Sequence, residues 1–176
     1  MSDLREGASL EEARMWLLGK MDKGAECPCC RQFAKIYRRK LTSSMAYALI
    51  LICRYYRNVH APHSLSEWLH VPEWLSKTSQ FGATVRGGDW AKLVYWGLIE
   101  AKTGEEREDG SERVGYYRLT EDGLRFVKGE MRVPRVALVY NQQLLRMDDS
   151  QRVDIKEALT DKFDYGELMG WQGPSA

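Results

Sequence analysis

Trp90, Leu93, Val94 and Gly97 fall at i, i+3, i+4 and i+7, which draws one buried stripe along a helix and then stops it. Gly97 can take the left-handed backbone that ends a helix at low cost. Leu98-Ile99 then begin a strand, with one side chain on each face. Asp109-Gly110 is the strongest short hairpin signal in the chain, and residues 114–119 return as the second strand. Thr120 caps another short helix that carries Leu124, Phe126 and Val127. A helix that must stop at one glycine and run straight into a hairpin leaves few folds open.

Upstream, residues 44–57 read as a buried helix rich in Ala, Leu and Ile, with Thr42-Ser43-Ser44 as a fresh cap. Ser64-Leu65-Ser66-Glu67 has capping-box spacing and predicts a short helix with Trp68 and Leu69 inward, ended by Pro72. A third helix is expected over about 83–95. At the N-terminus, Ser9-Leu10-Glu11-Glu12 is another capping box; Leu10, Ala13, Trp16, Leu17 and Met21 follow at helical spacing, with Gly24 as the stop. Residues 33–41 stay open between strand and helix, since Phe33, Ile36, Tyr37 and Leu41 also fit a helical face. In the tail, residues 136–140 are strand-like and Asn141-Gln142 is a turn. Two short strands, 144–147 and 153–155, are expected around an Asp148-Asp149-Ser150 turn, with a short helix from Lys156 to Leu159.

Helix, short helix, helix and hairpin is the winged-helix order. Leu93-Val94-Tyr95-Trp96-Gly97-Leu98-Ile99 resembles the Leu-x-x-x-Gly-Leu-Ile junction of MarR-type winged helices. Leu119-Thr120-Glu121-Asp122-Gly123 is similar to their Leu-Thr-x-x-Gly segment after the wing. The chain also resembles small phage and prophage proteins, through its Cys-Pro-x-Cys knuckle, Trp96-Gly97-Leu98-Ile99-Glu100 and Phe163-Asp164-Tyr165-Gly166-Glu167-Leu168-Met169. The expected fold class is α+β. An N-terminal helix and Cys knuckle (1–42) precede a winged helix-turn-helix core (43–130), a small β-rich extension (131–169) and a frayed tail (170–176). The resemblance to MarR-type proteins also implies a homodimer, for which the amphipathic helix 9–21 is a candidate, though such a helix can equally pack on its own domain.

A winged helix lays its third helix in the major groove, which implies DNA-binding roles for Lys77, Thr84, Arg86 and Lys92. Arg86 suits a bidentate contact to guanine, and Lys92 a phosphate contact. The near-neutral net charge hides an asymmetry. Residues 20–60 carry nine Lys/Arg against Asp22 and Glu26, a net of +7. Within that segment Arg38, Arg39 and Lys40 can track a phosphate backbone, with Tyr37 beside them. Residues 105–130 carry five basic against eight acidic groups, a net of −3. The acidic tip Glu105-Glu106-Arg107-Glu108-Asp109 opposes phosphate binding. Two functions are therefore carried forward. One is a DNA-binding regulator, phage-encoded by resemblance. The other is a winged-helix adaptor or inhibitor that meets a host or phage protein through the acidic wing and the C-terminal extension.

Cys27-Pro28-Cys29-Cys30 resembles half of a zinc or rubredoxin-type knuckle, with Arg31 where such knuckles commonly have glycine. Cys27, Cys30, His60 and His63 form a candidate Zn ligand set. An extended run over 33–41 travels roughly 27–30 Å and a returning helix about 22 Å, which brings His60 back toward Cys30. A single helix over 33–57 separates the ends by more than ~35 Å and defeats the site. The alternatives are free thiols in a turn with loop-surface histidines, and a site shared between two chains. Cys53 sits in an apolar helix and reads as a small buried hydrophobe.

No apolar run reaches the ~18 residues that a membrane helix needs, and the N-terminus has no secretory pattern, so a cytoplasmic protein (host cytoplasm for a phage product) is expected. Gly-x-Ser-x-Gly, P-loop and His-Glu-x-x-His motifs are missing from the sequence, and no enzyme activity is expected.

Overall fold

The computed structural model describes residues 4–5, 7–59, 65–77, 88–104 and 115–170, and shows a mixed α+β chain. It forms two compact units, Met1–Lys40 with Val136–Asp148, and Leu41–Arg135 with Asp149–Ala176. No helix among the described residues is long and apolar enough to cross a membrane.

The first unit begins with α1 (Leu10–Leu18). Its capping box forms as the sequence predicts: the Glu12 N–H donates to Ser9 Oγ, and the Ser9 N–H to Glu12 Oε2 at 2.7 Å. These bonds hold the Glu12 carboxyl below its ordinary pKa. The helix ends earlier than expected. Gly19 weakens it, the Lys20 N–H bonds back to Leu17 O, and Gly24 instead takes φ +90° in the following turn. Residues 33–41 resolve as extended chain. β1 (Ala25–Glu26) pairs antiparallel with β2 (Phe33–Ala34) across the cysteine turn. β3 (Tyr37–Lys40) joins a three-stranded sheet in the order β3-β7-β8, formed with β7 (Val133–Tyr140) and β8 (Gln143–Val153). The β3–β7 register sets Tyr37 opposite Val139 and Lys40 opposite Val136. Asn141 and Gln142 form the tight turn between β7 and β8, both with positive φ, as a two-residue hairpin of the primed type requires. β8 is one strand of 11 residues, not two short strands around a turn. The boundary between the two units falls within β7 and β8.

The second unit is built on α2 (Ser43–Val59), buried from Met45 through Arg54. Thr42 caps it by accepting the Met45 N–H. Cys53 is 2% exposed, and burial raises its thiol pKa. The predicted helix opened by Ser64 is absent among the described residues. Leu65 to Trp68 are irregular, and Leu69–His70 form a short strand, β4. Pro72 does not end a helix; it lies in the first turn of α3 (Val71–Lys77), where no intrahelical N–H is lost. Asp89–Trp96 form a 3-10 helix, closed by Gly97 at φ +67°. β5 (Ile99–Ala101) and β6 (Tyr116–Leu119) pair antiparallel, and the predicted Asp109-Gly110 turn lies outside the described residues.

β4 also pairs with β6, Leu69 opposite Tyr117 and His70 opposite Tyr116, so this sheet runs β4-β6-β5. Thr120 caps α4 (Glu121–Val127) as expected. α5 (Ile155–Leu159), a 3-10 turn (Thr160–Lys162) and α6 (Tyr165–Gly170) complete the chain described. α2 packs against the 3-10 helix, α4 and α5. Leu49, Ile50 and Ile52 of α2 are fully buried, as are Leu93, Leu98, Phe126, Ile155 and Leu159. Burying each such side chain stabilises by about 1.5–3 kcal/mol relative to exposure. Trp90 and Trp96 belong to this core, and Trp96 Nε1 donates to Pro134 O at 2.6 Å.

Candidate nucleic-acid interface

In the second unit the candidate DNA-contacting residues divide. Thr84 and Arg86 lie outside the described residues. Lys92 is on the 3-10 helix and forms an ion pair with Asp89, one turn earlier. Lys77 ends α3 and pairs with Glu73 at 2.7 Å. That ammonium, and then His70 close by, hold the Glu73 carboxyl below its ordinary range. Exposed pairs of this kind contribute little to stability.

The sheet adds residues that the sequence reading assigned elsewhere. Trp68 is half-buried rather than inward on a helix. The Arg118 guanidinium lies 4.7 Å from its ring centroid and Lys102 Nζ 5.7 Å. Arg118 also pairs with Glu100 at 2.6 Å, across the β5–β6 ladder. The His70 and Tyr116 rings meet at 4.8 Å, tilted by 53°, on paired positions of β4 and β6. These residues share no spacing in the sequence; only strand pairing collects them. The signal available was the cluster of aromatic residues at 68–70 and 116–117, which has no helical or strand period until the register is known.

In the first unit, β3 holds Arg38, Arg39 and Lys40, all exposed. Strand alternation puts Tyr37 and Arg39 on one face, Arg38 and Lys40 on the other. The Arg39 guanidinium accordingly lies 5.1 Å from the Tyr37 ring centroid. Arg38 bonds Asp148 Oδ2 at 2.5 Å. The basic run is therefore a two-faced strand, and no single face carries all three charges.

The same unit holds the cysteine turn. The Arg31 N–H closes onto Cys27 O, and the Cys27 N–H onto Gln32 O, each at 2.8 Å. Arg31 takes φ +60°, the conformation for which knuckles commonly use glycine. The backbone N–H groups of Cys30 and Cys29 donate to the Cys27 sulfur and draw its pKa down. Partial desolvation and the Cys27 charge push Cys29 up. Of the proposed zinc ligands, the structure describes Cys27 and Cys30; His60 and His63 lie outside the described residues. Among the described residues no group of three or more His, Cys, Asp or Glu is arranged to hold a metal ion.

Comparison with protein-family models, curated proteins and solved structures returned no match to this chain.

Proposed function

We propose that this chain is a winged-helix DNA-binding protein, a regulator of the phage type that its sequence resembles. The observation that carries the reading is the pairing of β4 with β6. In a winged helix, a short strand between the first two helices zips onto the returning strand of the hairpin, and the sheet order β4-β6-β5 has that form. The third helical segment then offers Lys92 to a groove, while β5 and β6 flank the backbone; Arg86 precedes that segment in the sequence. The cation-bearing aromatic cluster at Trp68, Arg118 and Lys102 suits contact with a nucleic-acid backbone.

The test is a titration with random-sequence duplex at low and moderate salt. Affinity should fall steeply with salt, with a log–log slope of about −0.9 per phosphate neutralised. Arg86→Ala with Lys92→Ala should weaken binding, and Arg38→Ala with Lys40→Ala should flatten the slope by one to two phosphates' worth. Undiminished affinity in the first pair would remove the groove assignment. No binding at low salt would sink the DNA reading altogether. The adaptor reading draws support from Leu144 and Leu145 on β8, 41% and 50% exposed within the extension assigned to partner contact.

A further inference from the structure

We infer that β8 is a self-association strand, whose outer edge pairs antiparallel with β8 of a second copy of this chain about a two-fold axis at Met147. In the sheet order β3-β7-β8, β8 stands at one end, with β7 as its neighbour on one side. An edge strand leaves the N–H and C=O groups of alternate residues without ladder partners, and proteins commonly keep such edges short or break them with proline or a bulge. β8 has 11 residues, with neither proline nor glycine. From Gln143 to Arg152 its residues are exposed or half-buried, and Val153 alone is buried. Every large hydrophobic side chain left exposed among the described residues belongs to the first unit, and Tyr140, Leu144 and Leu145 flank the β7–β8 turn.

The charges on the strand select both the occupant and the register. In an antiparallel pair with two-fold symmetry, the residue on the axis faces its own copy, and residues equally far from it on either side face each other. An axis at Arg146 or Asp148 sets like charges directly opposite. One at Asp149 does the same and also sets Arg146 against Arg152. Such facings destabilise a ladder. An axis at Met147 overlaps residues 143–151 and puts Arg146 opposite Asp148 of the second copy, on both sides of the axis. Arg146 is exposed and has no ion pair within the chain among the described residues. Asp148 is held in place by Arg38, at 2.5 Å. Strand alternation puts Leu145 and Met147 on the other face, where they meet the same two residues of the second copy across the axis. Asp149, which comes opposite Leu145, is neutralised by Arg152 at 2.6 Å. An axis at Leu145 or Ser150 also avoids facing like charges, but overlaps only residues 143–147 or 147–153.

The test is sedimentation velocity on the full chain, in reducing buffer, over a range of concentrations. The wild type should associate reversibly to a dimer in the micromolar range, since edge pairing buries less than a standard interface. Arg146→Asp and Asp148→Arg each set like charges opposite and should each weaken the dimer about tenfold. Mixed one to one, the two variants should form a heterodimer about as tight as the wild type, because each offers the charge that the other lacks. Met147→Cys reads the register without touching either charge. In a chain carrying Cys27→Ser, Cys29→Ser and Cys30→Ser it should give a disulfide-linked dimer on mild oxidation, because facing residues have Cα atoms about 4.5–5.5 Å apart, within disulfide reach. Leu144→Cys in that background should not. A wild-type chain that stays monomeric to about 100 µM overturns the proposal. So does a dimer that both charge variants keep at full strength, or one lost instead with Leu10→Ser and Leu18→Ser, which would put the contact on α1.

Discussion

At Gly123 there is no room for a methyl group. A Cβ there would run into the Leu98 carbonyl, with Leu119 Cδ1 2.8 Å away. Gly97 is the opposite case: space around it is open, but its φ of +67° is costly for any side chain. Gly123→Ala should therefore destabilise through collision, by about 1–3 kcal/mol. Gly97→Val should cost about 1–2 kcal/mol through backbone strain alone. Denaturant unfolding measures both, and an unchanged midpoint for Gly123→Ala would contradict the close approach. Arg31 and Gln142 hold positive φ without being glycine. Arg31→Gly and Gln142→Gly should each raise stability by up to about 1 kcal/mol, read as a higher melting temperature in thermal denaturation. The Gly97 stop and the unusual residue at Arg31 were both visible in the sequence. The reason for Gly123 was not, because it depends on a carbonyl 25 positions away.

Elements were legible where a side chain and its backbone partner lie within one turn. Ser9 and Thr120 cap as read, because capping is a contact over three residues. Thr120 does more than cap. Its hydroxyl accepts the Gly123 N–H at 2.9 Å and donates to Gly97 O at 2.6 Å, tying α4 to the end of the 3-10 helix. Thr120→Ala should cost about 0.5–2 kcal/mol in the same unfolding assay, with Thr120→Ser recovering most of it. Ser64-Leu65-Ser66-Glu67 misled because its spacing matches a cap while β6 recruits Leu69 and His70 as a strand. Tertiary pairing outweighs a local signal there. Asp148-Asp149-Ser150 has turn chemistry, which predicts two short strands where β8 is one. In the sheet, Asp148 is paired with Arg38 and Asp149 with Arg152 at 2.6 Å, so these charges ride along a continuous strand. Arg132 and Arg152 each donate to the other's carbonyl at 2.8 Å, which extends the ladder's grip.

At the scale of the molecule, the second unit is held by a helix whose buried polar groups the sequence did not mark. Arg54 is 6% exposed and donates to Leu168 O at 3.0 Å, so a charge from α2 fixes α6. Tyr47 stacks on Phe163 at 4.5 Å, and Tyr56 donates its hydroxyl to Glu67 O at 2.6 Å. Burial pushes both phenols up to about 12. An exposed phenol ionises near 10, so between about 10 and 12 the folded state keeps protons that the unfolded state releases. Stability must then fall as pH rises through that window. Absorbance at the phenolate band should show these two tyrosines ionising together with unfolding; early ionisation in the folded chain would contradict their burial. The apolar run Met45–Cys53 made α2 evident, but neither the residues that cover it nor the β3–β7 pairing has a local signature.

The division of β7 and β8 between the two units bears on how the chain is made. The strand at Tyr37–Lys40 leaves the ribosome long before Val136–Val139, its ladder partners, have been synthesised. At about 5–20 residues per second, the intervening chain takes on the order of 5–20 s to emerge. Through that interval β3 is an unpaired edge, and Arg38, Arg39 and Lys40 give it the charge that discourages wrong pairing. Neither unit is a continuous stretch of sequence, so no single truncation releases one of them whole.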